Sequence, residues 1–255
     1  MLAQLVRYRS QLAACRERLQ DVAARSGGAQ AAAMVEEAKL LRATLVLASG
    51  TPLGASSSAL IPAAVSIELL HLASLVHDDI IDEAMERRGV PALHLTAGRN
   101  RALVVGDLLI VAAFDVLGQV PPEVVARAVE TLSRGAQLCC LGQLEELDLR
   151  PQVLSEDDYL DVIAKKTGSL FSVAAALGAL VARAGDEDLA ALATFGRGLG
   201  IAYQVRDDLR DGADGARFAP TSTTYARAGD AVLGALDRVP AACRDELRTL
   251  VEAML

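Results

Sequence analysis

Two aspartate clusters, Asp78-Asp79-Ile80-Ile81-Asp82 and Asp207-Asp208-Leu209-Arg210-Asp211, each close a long apolar stretch of this chain. On a helix, the first and last members of a D-D-x-x-D run lie one turn apart on one face. Carboxylates packed so closely repel one another, and behind an apolar segment the cost is high unless a positive charge offsets it. A hard divalent cation does this: magnesium takes carboxylate oxygens and keeps positions open for water and phosphate. One such run is commonly a solvated helix end. Two, each behind an apolar helical run, point to an interior where two helices face a metal.

The rest of the chain repeats the helical signal. Apolar residues recur at i, i+3, i+4 and i+7 between short breaks at Ser26-Gly27-Gly28, Gly50-Thr51-Pro52, Gly98-Arg99-Asn100, Pro121-Pro122 and Gly185-Asp186. Ser155 followed by Glu156-Asp157-Asp158 reads as an N-cap with an acidic first turn. Hydrophobic residues make up 52%, mostly Ala, Leu and Val, with no Trp. No alternating strand pattern stands out. These features predict an all-α fold, a single-domain helical bundle over residues 1–255, with about eight to ten helices around a central cavity. The apolar stretches 59–76 and 170–181 are interrupted by Glu68 and His71 or too short to span a bilayer, and read as core helices.

A formal net charge of −8 argues against a nucleic-acid partner. Cys15, Cys139, Cys140 and Cys243 follow no metal-ligand spacing and read as buried free thiols in a reducing cytosol. The N-terminal segment lacks a signal-type apolar core, so a cytoplasmic location is expected.

Only three of the 25 basic residues are lysines: Lys39, Lys165 and Lys166. In an arginine-rich chain, a retained lysine suits a compact charge for a phosphate oxygen; ordinary surface lysines are the other reading. Lys166-Thr167 is expected to open an apolar helix, adding terminal donors for an anion. Arg87-Arg88-Gly89 reads as a helix end whose paired guanidiniums either clamp phosphates or bridge to Glu83 and Glu86. His77 reads either as a support of the carboxylates or as a buried structural histidine, and His71, taken alone, as structural.

Taken in order, the stretch Glu68-Leu-Leu-His71-Leu-Ala-Ser-Leu-Val-His77-Asp78-Asp79-Ile-Ile-Asp82, with Arg87-Arg88-Gly89-Val90-Pro91 after it, resembles the first aspartate-rich region of the trans-isoprenyl diphosphate synthases, or polyprenyl synthetases. Gly200-Ile-Ala-Tyr203-Gln204-Val-Arg-Asp207-Asp208-Leu-Arg-Asp211 resembles the second. Gly106-Asp107-Leu108-Leu109, Gly142-Gln143 and Lys166-Thr167-Gly-Ser-Leu-Phe171 match motifs between them.

The resemblance implies a magnesium-dependent prenyltransferase that joins an allylic prenyl diphosphate to isopentenyl diphosphate in an isoprenoid synthase fold. It implies Asp78, Asp82 and Asp207 as ligands of a Mg²⁺ cluster of three ions, with Asp79, Asp208 and Asp211 as further ligands or supports. It assigns Arg87, Lys166 and Lys165 to the allylic diphosphate, and Thr167 and Gln204 to the allylic cation. Lys39, Arg42, His71 and Arg88 would hold isopentenyl diphosphate. Ala73 and Ser74, small residues before the first cluster, would leave room for products of twenty carbons or more. A homodimer is expected, formed through Ala- and Leu-rich helices such as 102–117.

The match departs at three places. Glu37-Ala38 stand where the family has two glycines, and Ala43 stands where it has proline. After Asp211 a lysine-containing segment is replaced by one with Arg217, and the tail is expected to run about two helices short of typical members. Alternative functions are a cyclase or a prenyltransferase with another acceptor, or a weakly active regulatory subunit of a heteromeric synthase.

Overall fold

The structure is a computed structural model, and it describes residues 7–149, 154–211 and 220–255, with Asp211 described only in its backbone. Among these residues the α-helices are α1 (Arg9–Glu36), α2 (Leu41–Gly50), α3 (Ser57–Ile81), α4 (Leu93–Thr96), α5 (Arg99–Leu117), α6 (Pro122–Asp148), α7 (Glu156–Ile163), α8 (Ser169–Val181), α9 (Asp186–Asp211), α10 (Ser222–Leu236) and α11 (Ala241–Met254). The expected eight to ten becomes eleven because α4 is a single turn and a π-helical turn, Ala164–Gly168, divides one long helical run into α7 and α8.

The helix boundaries follow local chemistry. Ser155 caps α7 in a reciprocal box with Asp158, as its acidic first turn predicts, and Thr221 forms a similar box with Thr224 at α10. The Ser26-Gly27-Gly28 break is a kink within α1 at Gly28, whose φ of 74° suits a residue without Cβ. A three-residue 3₁₀ turn, Thr51–Leu53, uses the Gly50-Thr51-Pro52 break.

The paired arginines do not end a helix. Residues 86–91 form a small antiparallel hairpin, β1 (Glu86–Arg87) and β2 (Val90–Pro91), with Arg87 opposite Val90. Arg88 and Gly89 make its two-residue turn with φ of 55° and 78°, the positive pair that a tight hairpin requires. Lys166-Thr167 likewise lie inside a continuous run, and no helix N-terminus is available there.

Every residue of α2 is buried, and α8 is buried from Ser169 to Val181 apart from Ser172. These two helices and α3 form the centre, with α5 against α3 and α9 against α8. The Ser66 hydroxyl on α3 donates to the Ala113 carbonyl of α5 at 2.8 Å, which satisfies a polar group inside that interface. Among the described residues, α3 alone is long and apolar enough to cross a membrane, but it is mostly packed in protein. The thiols divide differently from expectation: Cys15 and Cys243 are buried, Cys139 is half-buried and Cys140 is exposed.

Candidate active site

A cavity of about 1020 Å³ opens between α3, α6, α9, the N-terminal end of α2 and the hairpin. Asp78 and Asp82 enter it from α3, Asp207 from α9 and Lys166 from the π-helical turn. Lys166 Nζ lies 2.8 Å from a Glu146 oxygen and 3.5 Å from Asp78. Burial works against the lysine charge, but Asp78 and Glu146 outweigh it and hold its pKa above the usual value. Burial pushes the Asp78 carboxyl up; Lys166 opposes this, and repulsion from Asp82 and Glu146 adds to it. This end therefore carries more negative charge than its lysine neutralises.

The π turn allows the lysine to reach the cavity. It adds a residue to the turn and rotates the helix beyond it, and such turns recur at functional sites. Gly142 on α6 packs directly beneath it: a Cβ there would stand 2.7 Å from the Lys166 backbone nitrogen. Beside Lys166, the Thr167 hydroxyl donates to Gln204 Oε1 at 3.0 Å, and Gln204 Nε2 donates to Asp208 Oδ1 at 2.8 Å. Tyr159 donates to the other Asp208 oxygen at 2.6 Å. Asp208 thus anchors the Gln204 amide so that its oxygen and the Thr167 hydroxyl face the cavity together.

The opposite end is cationic. Lys39, Arg42, His71 and Arg88 line it. Lys39 donates to the Tyr203 hydroxyl at 3.1 Å, and the Arg42 guanidinium stacks 4.7 Å above the Phe171 ring. Arg88 donates to the Met34 carbonyl at 3.2 Å, which ties the hairpin turn to α1. Burial, with Arg42 and Arg88 nearby, holds His71 well below the usual histidine pKa, so it is neutral. Arg42 Nε and both amide atoms of Gln143 are buried without a partner at the wall of this cavity. Unsatisfied polar atoms of that kind are costly unless something polar enters.

A polyprenyl synthetase family model matches residues 29–217. The chain belongs to the polyprenyl synthetase family. A geranylgeranyl diphosphate synthase of Methanosarcina mazei is 37% identical over 176 residues, 68% of this chain and 54% of that protein. One from Mycobacterium tuberculosis is 40% identical over 174 residues, 67% of this chain and 49% of that protein. The chain thus spans about half the length of the curated relatives it matches. A Caulobacter crescentus polyprenyl synthase, crystallised with calcium and isoprenyl diphosphate, superimposes with a TM-score of 0.81 at 25% identity, covering 99% of this chain and 96% of that one.

Within this polyprenyl synthetase fold, Asp78, Asp82, Asp207, Lys39, Arg42, His71, Ser74, Arg87, Arg88, Lys166, Thr167 and Gln204 line one cavity. Other residues singled out in the sequence do not. Asp79 is buried and turned to Arg87, whose Nε donates to it at 2.9 Å and whose terminal nitrogen also pairs with it. It braces the hairpin instead of facing a metal. Asp208 is occupied by Tyr159 and Gln204, and Lys165 turns away to Glu145 and Asp161. Ala73 sits in the apolar core at 1% exposure, leaving Ser74 as the small residue on the cavity face. The Asp211 side chain and Arg217 lie outside the described residues.

The donor chemistry fits a hard cation, since Asp78, Asp82 and Asp207 present carboxylate oxygens to one space. Among the described residues no three ligating side chains gather into a ready-made cage. That suits magnesium, which is bound through a few carboxylates together with substrate phosphates. Four residues of the site have no role assigned from the sequence: Glu68, Tyr203 and Arg206, which stand inside the quoted motifs, and Glu146, which lies outside them. Arg206 is buried, donates to its neighbour Asp207 at 2.6 Å and pairs with the Met254 carbonyl at the end of α11. An arginine inside an apolar helix just before an aspartate is the only signal for it.

Proposed function

We propose that this protein elongates an allylic prenyl diphosphate with isopentenyl diphosphate to give a longer trans-prenyl diphosphate. The observation that carries the reading is that one cavity is lined by two unlike groups: the carboxylates Asp78, Asp82 and Asp207 with Lys166, and the cations Lys39, Arg42, Arg87 and Arg88 with His71. Two diphosphates then bind so that the isopentenyl double bond lies beside the allylic carbon that carries the leaving diphosphate, and the allylic chain runs on past Ser74.

Asp78, Asp82 and Asp207 would hold magnesium, three ions per site, which supplies positive charge where the allylic diphosphate departs. Lys166 and Arg87 add fixed cations to the same oxygens. The allylic C–O bond breaks with its electron pair on the diphosphate. The Thr167 hydroxyl and the Gln204 amide oxygen face the resulting cation and orient it. The double bond of isopentenyl diphosphate then forms the new C–C bond, and the adjacent carbon loses a proton to the departed diphosphate. Leu75, Leu144, Leu147 and Leu170 on the walls exclude water, which would otherwise quench the cation.

Products of twenty carbons or more are proposed because small Ser74 leaves the apolar path open. A cytoplasmic homodimer is proposed from Leu103, Val104, Leu108 and Val111, which form an exposed apolar face on α5. Purified protein with magnesium and farnesyl diphosphate is expected to give longer diphosphates only when isopentenyl diphosphate is added. Product formed without it would indicate a cyclase or another acceptor. Turnover only after a second, different chain is added would indicate a regulatory subunit. Either result overturns the reading.

A further inference from the structure

The cationic end of the cavity contains one buried carboxylic side chain. Glu68 on α3 lines the wall and is only 4% exposed. Its Oε1 accepts the backbone N–H of Ala43 at 2.8 Å, and the Arg42 N–H faces it too. Helix α2 has no side-chain cap of its own, because its N-cap is Leu40, in a left-handed conformation with φ 51°. A carboxylate reaching over from α3 takes the place of that cap and meets the positive end of the α2 dipole. The proline expected at position 43 would have no N–H to give, so alanine makes this contact available.

The same residue shares the cavity wall with Arg42 and Arg88. Burial pushes its carboxyl up, while Arg42, the two backbone N–H groups and Arg88 pull it back toward the ionised form. Arg42 is buried with its Nε unpartnered, and His71 beside it is neutral and supplies no counter-charge. Two buried guanidiniums in one wall repel and are poorly solvated unless an anion accompanies them. Of the described residues lining this end, Glu68 is the one buried carboxylate. Glu37 also lines the cavity but is exposed at its rim.

We propose that Glu68 is a resident counter-anion: it keeps Arg42 and Arg88 in place while this end is empty and competes with an incoming diphosphate for their charge. The inference rests on reading this end as a diphosphate site. It makes Glu68 a positioning residue, and the sign of its effect differs from that of a helix cap. Removing the charge leaves the two guanidiniums uncompensated in the empty protein. A bound diphosphate restores the balance, so by linkage it must bind the neutral variant more tightly. Losing a cap alone would lower stability and leave diphosphate affinity unchanged or weaker.

The test is titration calorimetry of inorganic diphosphate into the wild type, Glu68→Gln and Ala43→Pro, with a chelator present to keep metal from bridging diphosphate to the aspartates. Glu68→Gln keeps an oxygen for the Ala43 N–H and loses the charge. Its affinity is expected to rise about fivefold or more, and its thermal midpoint, lowered when empty, is expected to gain more from diphosphate than the wild type gains. Ala43→Pro removes the N–H and keeps the charge, and its affinity is expected to stay within about twofold. Unchanged or weaker binding in Glu68→Gln overturns the inference, as does tighter binding in Ala43→Pro. A Glu68→Gln protein that folds only when diphosphate is supplied supports it; one that stays unfolded with saturating diphosphate overturns it. In turnover, the KM for isopentenyl diphosphate should fall in Glu68→Gln while that for the allylic diphosphate holds. An inactive wild type defeats the elongation reading, but the calorimetry still decides the role of Glu68.

Discussion

Lys166 Nζ lies 3.5 Å from the Asp78 carboxylate, so the first residue of the first aspartate cluster meets a fixed cation across the cavity, between α3 and the π turn. That lysine is shared with Glu146, and the burial that raises the Asp78 pKa is only partly offset. The electrostatics here suit a ligand that brings more positive charge than the protein holds.

Asp78→Asn is therefore expected to lower turnover by about a hundredfold or more while making the metal-free protein slightly more stable. The sign follows from the pKa. A carboxyl raised in the folded state contributes stability only when protonated, below its unfolded pKa, and loses it as pH rises, so at neutral pH its charge is a cost. The thermal midpoint in chelator should rise by roughly 2 °C. A falling midpoint would show that Lys166 depends on Asp78 more than on Glu146.

Asp207→Asn is expected to lower turnover to a similar degree, with the opposite effect on stability. Asp207 is the partner of buried Arg206, which spans from α9 to the last turn of α11. Neutralising it weakens a charge-assisted bond to a guanidinium that cannot reach water, costing about 1–2 kcal/mol. The metal-free midpoint should fall by roughly 2–8 °C. A midpoint equal to that of the wild type would mean that Arg206 is held by the Met254 carbonyl alone.

A pH dependence arises from His71. Its folded pKa is depressed by burial and by Arg42 and Arg88, so it binds fewer protons folded than unfolded. No penalty exists above its unfolded pKa of about 6.5. Below that, stability is lost progressively, by up to about 1.4 kcal/mol per pH unit. His71→Gln removes this component. Midpoints of the two proteins measured from pH 8 to pH 5.5 should diverge below pH 6.5, with the wild type falling faster. Parallel curves would mean that the imidazole accepts its proton without penalty.

The helical fold and the cavity were legible because the apolar period and the motif order both survive in sequence. The Ser155 cap and the breaks at Pro121-Pro122 and Gly185 appear where they are expected. A motif conceals rotation about the helix axis. Successive residues turn by about 100°. Asp79 therefore points well away from its neighbour Asp78, while Asp82, four residues on, differs from Asp78 by only about 40°. The hairpin at 86–91 is too short to show alternation, and the π turn, which packs closely against α6 at Gly142, leaves no local signature.

The same arithmetic sets the prediction for product length. Ser74 is four residues before Asp78, about 40° from it around α3, and faces the cavity; Ala73 is five before, about 140° away, and faces the core. A growing chain that starts at the diphosphate held near Asp78 passes Ser74 and does not meet Ala73. Ser74→Phe is expected to shift products toward fewer carbons with turnover retained. The hydroxyl lost in that variant only donates to the His71 carbonyl within its own helix, at 2.7 Å. Ala73→Phe must instead force a ring into the packed core, costing about 1–3 kcal/mol, and should lower the thermal midpoint without a defined shortening. Chromatography of the hydrolysed products of the two variants separates these outcomes. Shortening by Ala73→Phe with no change from Ser74→Phe would mean that the chain runs along the other face of α3.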